Sequence, residues 1–467
     1  MRQMTRWRRS AAMISALALL VVACGADDDT DAPADTDADV ADDADDETED
    51  DADAGEDATE GPTEIATDFG VTDDPCPNAV NEDNGCIYLG VLSDLTEGPF
   101  AALGVEIVAG QQEFWNRVNE AGGIAGQYDV DMDEYTRDNR YDPQTQTSEY
   151  RSIEPNILAL AQTLGTPPTE AILPDMDVDN IVGVPASWWS GSQFAGQDQG
   201  LILDSGYSYC VESQIGLDYI NDEVTEISSI QVIGYPGDYG GDFAVGAEAW
   251  AEANGVEFLG VVQTLPNAAV GTQDEAIQQV LSANADVVAL ATGPAELAEI
   301  VGSASAQGFE GIYVGSVPTW NPGIVDSPAG PALEAQYYHI GPWEAFEGTS
   351  DAHVAMQDAL GGELPANDGF TFGWIWSYPL LTALEDAAAS GDLTREGVRA
   401  AASQMVVDYE GALPDRDFSL DGGEGAPRVA VISRPDSSES LNLATLATGV
   451  TGATADAFEY NEPCIVP

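Results

Sequence analysis

Short apolar runs alternate along this chain with longer segments whose apolar residues recur every three or four positions. Such runs predict buried strands, and they cover residues 87–92, 158–161, 181–184, 229–234, 256–262, 286–291 and 311–315. The segments between them predict amphipathic helices, one of which begins near Val105 and ends at Gly122-Gly123. Asp242 and Thr272 are predicted to cap later helices, and Pro294 to lie in the first turn of another.

Strands that alternate with helices are typical of parallel α/β sheets. The alternation occurs twice, and 467 residues exceed what one hydrophobic core usually supports. We therefore predict two similar doubly wound lobes. Ligands of such sheets bind beyond the carboxyl ends of the strands.

The charge of the chain is strongly acidic, with 83 Asp and Glu against 13 basic residues, all of them Arg. Residues 24–75 hold 23 acids and no base, yet residues 76–467 still carry a net charge of −51. Nucleic acid is excluded as a partner because its phosphates would be repelled. The acidity of the folded part has two candidate explanations, adaptation to a saline environment or a drifted composition.

The N-terminal segment predicts export. Residues 1–23 combine four Arg with a short apolar stretch, too short to span a bilayer, which is typical of a signal peptide. The run Val21-Val22-Ala23-Cys24-Gly25 resembles a bacterial lipoprotein box, which implies lipidation at Cys24. The alternative is ordinary cleavage with Cys24 incidental. Residues 24–75 are predicted to be an acidic disordered linker that tethers the folded body to the membrane.

Four further cysteines predict disulfides rather than a metal site. An even number in an exported chain fits two bonds with three possible pairings. Cys76 and Cys86 are close in sequence, so we predict the pairs Cys76–Cys86 and Cys210–Cys464.

Motifs of catalysis and of cofactor binding are missing from the sequence. It contains two histidines and no HExxH, GxSxG, Walker or dinucleotide-binding motif. A hydrolase that uses two carboxylates is the alternative, but no pair stands out in so acidic a chain. We predict a binding protein with neither cofactor nor metal.

Several segments together resemble the type I periplasmic binding proteins of the branched-chain amino acid and amide/urea class. They cover residues 87–104, 119–126, 138–143, 164–168, 184–187, 237–240, 369–389 and 409–422. The resemblance implies two Rossmann-like lobes joined by three hinge strands. The first lobe would comprise residues 76–207 and 338–425, and the second lobe residues 208–337 and 426–467.

The resemblance also implies a function and partners. It predicts a monomeric, extracytoplasmic, membrane-anchored protein that captures a small polar organic solute, an amino acid or related compound, by hinge closure. The closed form would dock on the permease subunits of an ABC importer. The alternative is a ligand-sensing receptor for a signalling partner.

Candidate ligand-binding residues follow from the same resemblance. They are Thr163, Gly165, Thr166, Ala186, Ser187 and Trp188 in the first lobe, and Tyr239, Thr292, Gly293 and Trp320 in the second. Phe100 is a weaker candidate. Hydroxyls and free N–H groups at a helix N-terminus suit a carboxylate or amide. The alternatives are that the two threonines cap a helix and that Tyr239 is an ordinary loop aromatic.

One position departs from the family pattern. Amino-acid binders of the family place a carboxylate just after the strand that matches residues 311–315, where this chain has Val317. The loss of a charge-assisted hydrogen bond, worth about 1.5–3 kcal/mol, weakens the case for an ordinary branched-chain amino acid. The adjacent Trp188 and Trp189 favour an aromatic or larger solute.

Overall fold

The computed structural model describes residues 64–420 and 422–466. The predicted signal peptide, Cys24 and most of the acidic linker lie outside the described residues. Two main sheets, of five and seven strands, carry the fold of the described part, and helices cover them. The predicted α/β architecture with two doubly wound lobes is confirmed.

The first sheet is built around the strand Gly85–Ser93. Tyr128–Asp138 and Ala159–Leu164 pair with it in parallel, and Gly183–Ala186 continues the sheet beside Ala159–Leu164. The short strand Val71–Thr72 pairs antiparallel with the beginning of Gly85–Ser93. The central strands are buried, as their continuous apolar runs predict. This sheet and the helices that pack on it are called the first lobe below.

The second sheet contains five parallel strands and an antiparallel edge. Its order is Glu257–Gln263, Ser229–Gly234, Val287–Ala291, Ile312–Gly315, Tyr337–Gly341, Ala430–Pro435 and Leu443–Val450. The last two strands run antiparallel to their neighbours. This sheet and its helices are called the second lobe. Two smaller pairs complete the strands: Ala66–Thr67 with Asp392–Leu393, and Val406–Val407 with Arg416–Asp417.

The helices of eight or more residues lie between these strands. They are Ala101–Glu120, Pro143–Ile153, Tyr209–Tyr219, Asp238–Asn254, Asp274–Ala283, Pro294–Ala306, Asp351–Ala359, Gly369–Ser390 and Arg395–Ala402. Shorter helices are Thr166–Glu170, Leu173–Asp179, Ala195–Asp198, Asn267–Val270, Gly330–Gln336, Gly422–Gly425 and Ala453–Ala457. Single turns cover Glu154–Asn156, Ser190–Gln193, Ile220–Val224, Val317–Thr319, Pro322–Ile324 and Ser440–Asn442.

Two glycines bring the helices Ala101–Glu120 and Gly369–Ser390 into close contact. A Cβ on Gly110 would clash with the carbonyl oxygen of Phe370, and one on Gly373 would clash with that of Ile107. Without these side chains the backbones approach each other directly, and the aromatic residues of the later helix reach the end of the first sheet. This contact therefore helps to form the wall of the cleft described below.

Some predicted boundaries and caps are wrong. Residues 64–75 were assigned to the acidic linker, but they contain two short strands of the folded body. Ala66–Thr67 pairs with Asp392–Leu393, and Val71–Thr72 pairs with Gly85–Ser93. The predicted lobe boundary at 337/338 falls inside Tyr337–Gly341, a strand of the second sheet. Asp242 does not cap a helix, because that helix begins four residues earlier at Asp238. Thr272 lies one residue before the observed cap, Gln273, whereas Pro294 occupies the predicted first turn.

Both predicted disulfides are confirmed. Cys76–Cys86 joins residues 10 positions apart, whereas Cys210–Cys464 spans 254 positions. The second bond holds the C-terminal tail against the beginning of the helix Tyr209–Tyr219. The backbone N–H of Cys464 also donates to Ser190 Oγ at 2.9 Å, and the Trp189 indole donates to the Ile465 carbonyl at 3.1 Å.

Candidate functional site: a cleft at the strand ends

A cleft with a cavity volume of about 50 Å³ lies where loops of the two lobes meet. From the first lobe it is lined by Phe100, Leu103, Ile107, Tyr141, Leu164, Gly165, Thr166, Ala186, Ser187, Trp188, Phe372 and Trp376. From the second lobe it is lined by Tyr209, Asp238, Tyr239 and Pro318. Most of the loop residues follow the carboxyl ends of parallel strands, the expected place for a ligand in this kind of sheet.

Six of the ten main ligand-binding candidates line this cleft, and so does the weaker candidate Phe100. Gly165 and Thr166 follow the strand Ala159–Leu164, and Ala186, Ser187 and Trp188 end or follow Gly183–Ala186. Tyr239 faces them from the second lobe. The hydroxyls of Thr166 and Ser187 are 2.7 Å apart and hydrogen bonded to each other. Gly165 has a φ of 89°, a conformation that favours glycine where the chain turns into the next helix.

The other four predicted residues lie behind the cleft wall. The Thr163 hydroxyl is buried and accepts a hydrogen bond from Gln146 Nε2 at 2.7 Å. The Thr292 carbonyl accepts from the Tyr239 hydroxyl at 3.2 Å, and Gly293 N–H donates to a neighbouring tyrosine hydroxyl. Trp320 stacks on Tyr337, with ring centroids 6.0 Å apart. Of these, Thr292 is the one that bonds directly to a lining residue.

Aromatic rings form one side of the cleft. Trp188 packs against Trp376 at a centroid distance of 4.7 Å and against Phe372 at 5.6 Å. Both partners belong to the helix Gly369–Ser390, which sequence reasoning did not connect with the site. Across the cleft the Tyr209 and Tyr239 rings are 4.7 Å apart. The site therefore offers large apolar surfaces with a few hydroxyl groups.

The carboxylate of Asp238 is the charged group that the sequence analysis missed. It begins the helix Asp238–Asn254 and is only 4% exposed. Burial raises its pKa, and a hydrogen bond from Thr166 opposes this rise. Burial, and next the charge of Asp238, raise the pKa of Glu170 to about 7. The charge of Asp238, on the second lobe, therefore raises the pKa of a carboxyl group on the first lobe.

A second buried carboxylate, Glu212, supports the wall from behind. It accepts hydrogen bonds from the hydroxyls of Tyr207 at 3.1 Å and Ser316 at 2.6 Å, and from the Val317 N–H at 2.9 Å. These bonds fix the turn that presents Pro318 to the cleft. Burial raises the pKa of Glu212 to about 8. The loop position where the family pattern has a carboxylate is thus bonded to a carboxylate from another helix.

A third buried carboxylate, Asp242, connects the lobes below the cleft. It accepts from Ser190 N–H at 2.8 Å and from Ser190 Oγ at 2.5 Å. Ser190 follows the last strand of the first sheet, whereas Asp242 lies on a helix of the second lobe. Burial raises the pKa of Asp242 to about 8. The two lobes are therefore joined here by the Ser190–Asp242 hydrogen bonds. The C-terminal tail joins them too, since Cys464 is bonded to Cys210 and donates to Ser190.

Two further properties of the described residues concern metal sites and membrane-spanning helices. No three of His, Cys, Asp and Glu are arranged to hold a metal ion within the part of the chain that the structure describes. Within the same ranges, 64–420 and 422–466, no helix combines the length and the hydrophobicity that a membrane span requires.

Solved structures of similar fold carry the names of solute-binding proteins. A fatty acid ABC transporter substrate-binding protein from Thermomonospora curvata has a TM-score of 0.75 at 24% identity, covering 85% of this chain and 98% of that one. A branched-chain amino acid ABC transporter protein from Thermus thermophilus with bound valine has a TM-score of 0.67 at 16% identity, covering 81% and 100%. A solute-binding protein from R. palustris in complex with benzoate has a TM-score of 0.63 at 13% identity, covering 79% and 98%.

Sequence comparison gives the family directly. No curated protein sequence matches the chain. A family model described as periplasmic binding protein matches residues 87–433, which include most strands of both sheets and every residue that lines the cleft. The chain belongs to the periplasmic binding protein family.

Proposed function

We propose that this chain is the extracytoplasmic solute-binding component of an ABC importer and that it captures a small organic solute by closing its two lobes. The observation that carries the proposal is the cleft itself. Loops at the strand ends of one lobe, with Thr166, Ser187 and Trp188, face Tyr239 and its neighbours from the other lobe. A solute held between them would contact both lobes at once and so favour the closed form.

The walls of the cleft indicate the kind of solute. Trp188, Phe372 and Trp376 provide apolar surface, and the hydroxyls of Thr166 and Ser187 provide polar contacts. Proteins of similar fold are named for a fatty acid, for valine and for benzoate, all of which combine an apolar body with a polar end. We propose an amino acid or a related compound with a sizeable apolar or aromatic part.

A screen of thermal stability tests solute binding. A true solute at 100 times its dissociation constant should stabilise the protein by about 2.7 kcal/mol. Tyr239→Ala should weaken binding because it removes one wall of the cleft. Val178→Ala is the matched control, since Val178 is 79% exposed on a short helix of the first lobe. Solute recovered chemically unchanged would support binding; steady conversion to a product would support a hydrolase instead.

The anchor and the partner need a separate experiment. We propose that Cys24 is lipidated and that the acidic linker holds a monomeric body near the permease. Mass spectrometry of the mature N-terminus should find a lipid on Cys24, and Cys24→Ala should release the protein from the membrane fraction. Loss of solute uptake in a deletion strain would support transport. Intact uptake with loss of a transcriptional response would support a sensing receptor.

A further inference from the structure

Asp238 is a buried carboxylate in the cleft whose charge reaches both lobes. Besides acting on Glu170, its charge contributes, after burial, to raising the pKa of Tyr141 in the first lobe and of Tyr209 in the second. Tyr141 and Tyr209 line the cleft from the two lobes, as Asp238 itself does. The carboxylate is therefore placed where a bound solute would meet it.

Within residues 64–420 and 422–466, no cationic side chain neutralises this carboxylate. None of the ion pairs among the described residues includes Asp238 or another residue of the cleft, and no Arg or His lines it. Elsewhere the fold does neutralise a buried acid, because Asp204 forms two hydrogen bonds with Arg416. A buried carboxylate without a counter-ion is costly, and a cation that enters the cleft would offset that cost.

The surrounding rings also suit a cation. Tyr209 and Tyr239 lie together with centroids 4.7 Å apart, and Phe100 and Tyr141 lie together at 5.2 Å. All four residues line the cleft. Aromatic faces attract ammonium groups, and the attraction strengthens when water is excluded. The strong negative charge of the whole chain would further concentrate cations near its surface.

An anionic solute would meet repulsion at the same place. The hydroxyl pair of Thr166 and Ser187, which could hold a carboxylate, lines the same cleft as Asp238. We propose that Asp238 recognises a positively charged amino group, so that the cleft selects organic amines over carboxylic acids of the same shape. This inference rests on the proposed solute-binding function and specifies the charge of its solute.

Matched sets of small molecules test the proposal on the unmodified protein. One set is isobutylamine, L-valine and 3-methylbutanoate; the other is 2-phenylethylamine, L-phenylalanine and 3-phenylpropanoate. Within each set the apolar body is constant while the charge changes from positive to zwitterionic to negative. Calorimetry at pH 7 should rank the amine first and the acid last. A charge-assisted hydrogen bond corresponds to a difference of about 10- to 100-fold in affinity.

A variant tests the residue itself. Asp238→Asn keeps the shape and removes the charge, so it should weaken amine binding by about 10- to 100-fold and reduce the gap between amine and acid. Asp222→Asn makes the same charge change at an exposed position of the second lobe and should leave both affinities unchanged. Circular dichroism and the melting temperature of each variant establish that it is folded.

The outcomes separate this inference from the proposed function. Acids that bind as tightly as amines, or an Asp238→Asn variant with unchanged amine affinity, would overturn the charge assignment while solute binding stands. Failure of every amine in both sets to bind would also overturn it. The wider thermal screen would then decide, with neutral and anionic solutes, whether the chain binds a solute at all.

Discussion

The two lobes share an architecture but handle negative charge differently. In the first lobe, arginines form ion pairs with carboxylates, among them Arg117 with Glu410 and Arg395 with Glu154. Residues 208–337, which form most of the second lobe, contain 18 Asp and Glu and neither Lys nor Arg. Their buried acids are held by neutral donors instead, as Asp218 is by the Trp250 indole at 2.7 Å.

This difference shows that the carboxylates of an acidic protein can be stabilised in two ways, by ion pairs with Arg or by hydrogen bonds from neutral groups. Ion pairs lower the net charge of the first lobe, whereas the N–H and O–H donors of the second lobe carry no charge that would offset its acids. Stability should therefore respond to different changes in the two lobes.

Among the side-chain replacements, the largest effect should come from removing the long-range disulfide. In the chain-entropy model, a bond across 254 positions stabilises by about 5 kcal/mol, and one across 10 positions by about 3 kcal/mol. The double variant Cys210→Ser/Cys464→Ser should therefore lose more stability in urea than Cys76→Ser/Cys86→Ser. Equal losses would contradict the view that the C-terminal tail stabilises the second lobe.

The buried ion pair of the first lobe should come next. Arg416 donates to both carboxylate oxygens of Asp204, at 2.7 and 2.8 Å, and both side chains are 6% exposed. Arg416→Ala would leave a buried charge without a partner and should cost about 3–5 kcal/mol in urea denaturation. The control is Arg151→Ala, since the pair Arg151–Asp175 is exposed and should contribute about 0–1 kcal/mol. A small loss at Arg416 would count against ion pairing as a determinant of the first lobe.

Raising the pH should lower the free energy of unfolding, because two buried, hydrogen-bonded acids of the second lobe then ionise. Burial raises the pKa of Glu212 from 4.5 to about 8 and that of Asp242 from 3.8 to about 8. At a pH between the ordinary pKa of each acid and its raised pKa in the folded state, the folded state binds more protons than the unfolded state. The free energy of unfolding therefore falls as the pH rises through this range. For one such acid the free energy of unfolding should fall by about 1.4 kcal/mol for each pH unit within this range.

Melting curves between pH 5 and pH 8 test this prediction. Glu212→Gln should flatten the decline, because its amide does not ionise. Asp222→Asn, at an exposed position, should leave the slope as it is. A melting temperature that rises steadily to pH 8 would show that these acids are ionised in the folded protein without cost.

Salt should have the smallest effect. Between 0.02 M and 1 M NaCl, screening should stabilise the protein by about 1 kcal/mol, or roughly 1–2 °C in melting temperature. Hydrogen exchange should locate the gain in the second lobe, because its residues 208–337 hold 18 acids and no Arg. If salt gives no stabilisation, adaptation to a saline environment is wrong as an explanation of the composition.

The sequence predicted the elements better than their ends. The strand Ser229–Gly234 matches its prediction at both ends, because a buried apolar run is bounded there by a polar residue and a glycine. The cap at Asp242 was wrong because its carboxylate bonds to Ser190, 52 positions away. No local pattern reveals such a contact.

Contacts between distant parts of the chain also explain why some residues of the cleft could not be predicted. Gly165, Thr166 and Ser187 were predicted from the family resemblance, and in the structure they follow strands whose ends meet. Phe372 and Trp376 could not be predicted, since buried aromatics on a helix resemble any other core residues until the close contact at Gly373 places that helix. Asp238 was hidden among 83 acids, and its position in the lining of the cleft distinguishes it.

The bond between Cys210 and Cys464 closes the chain between them into a covalent ring. That ring contains nearly all of the second lobe and the later helices of the first. A protease that cuts once at any exposed loop within it opens the ring without freeing a fragment. Such a nicked molecule would keep its full mass on a non-reducing gel and separate into two pieces only after reduction. For a protein exposed outside the cytoplasm, a single cut would then leave both walls of the cleft attached to the same molecule.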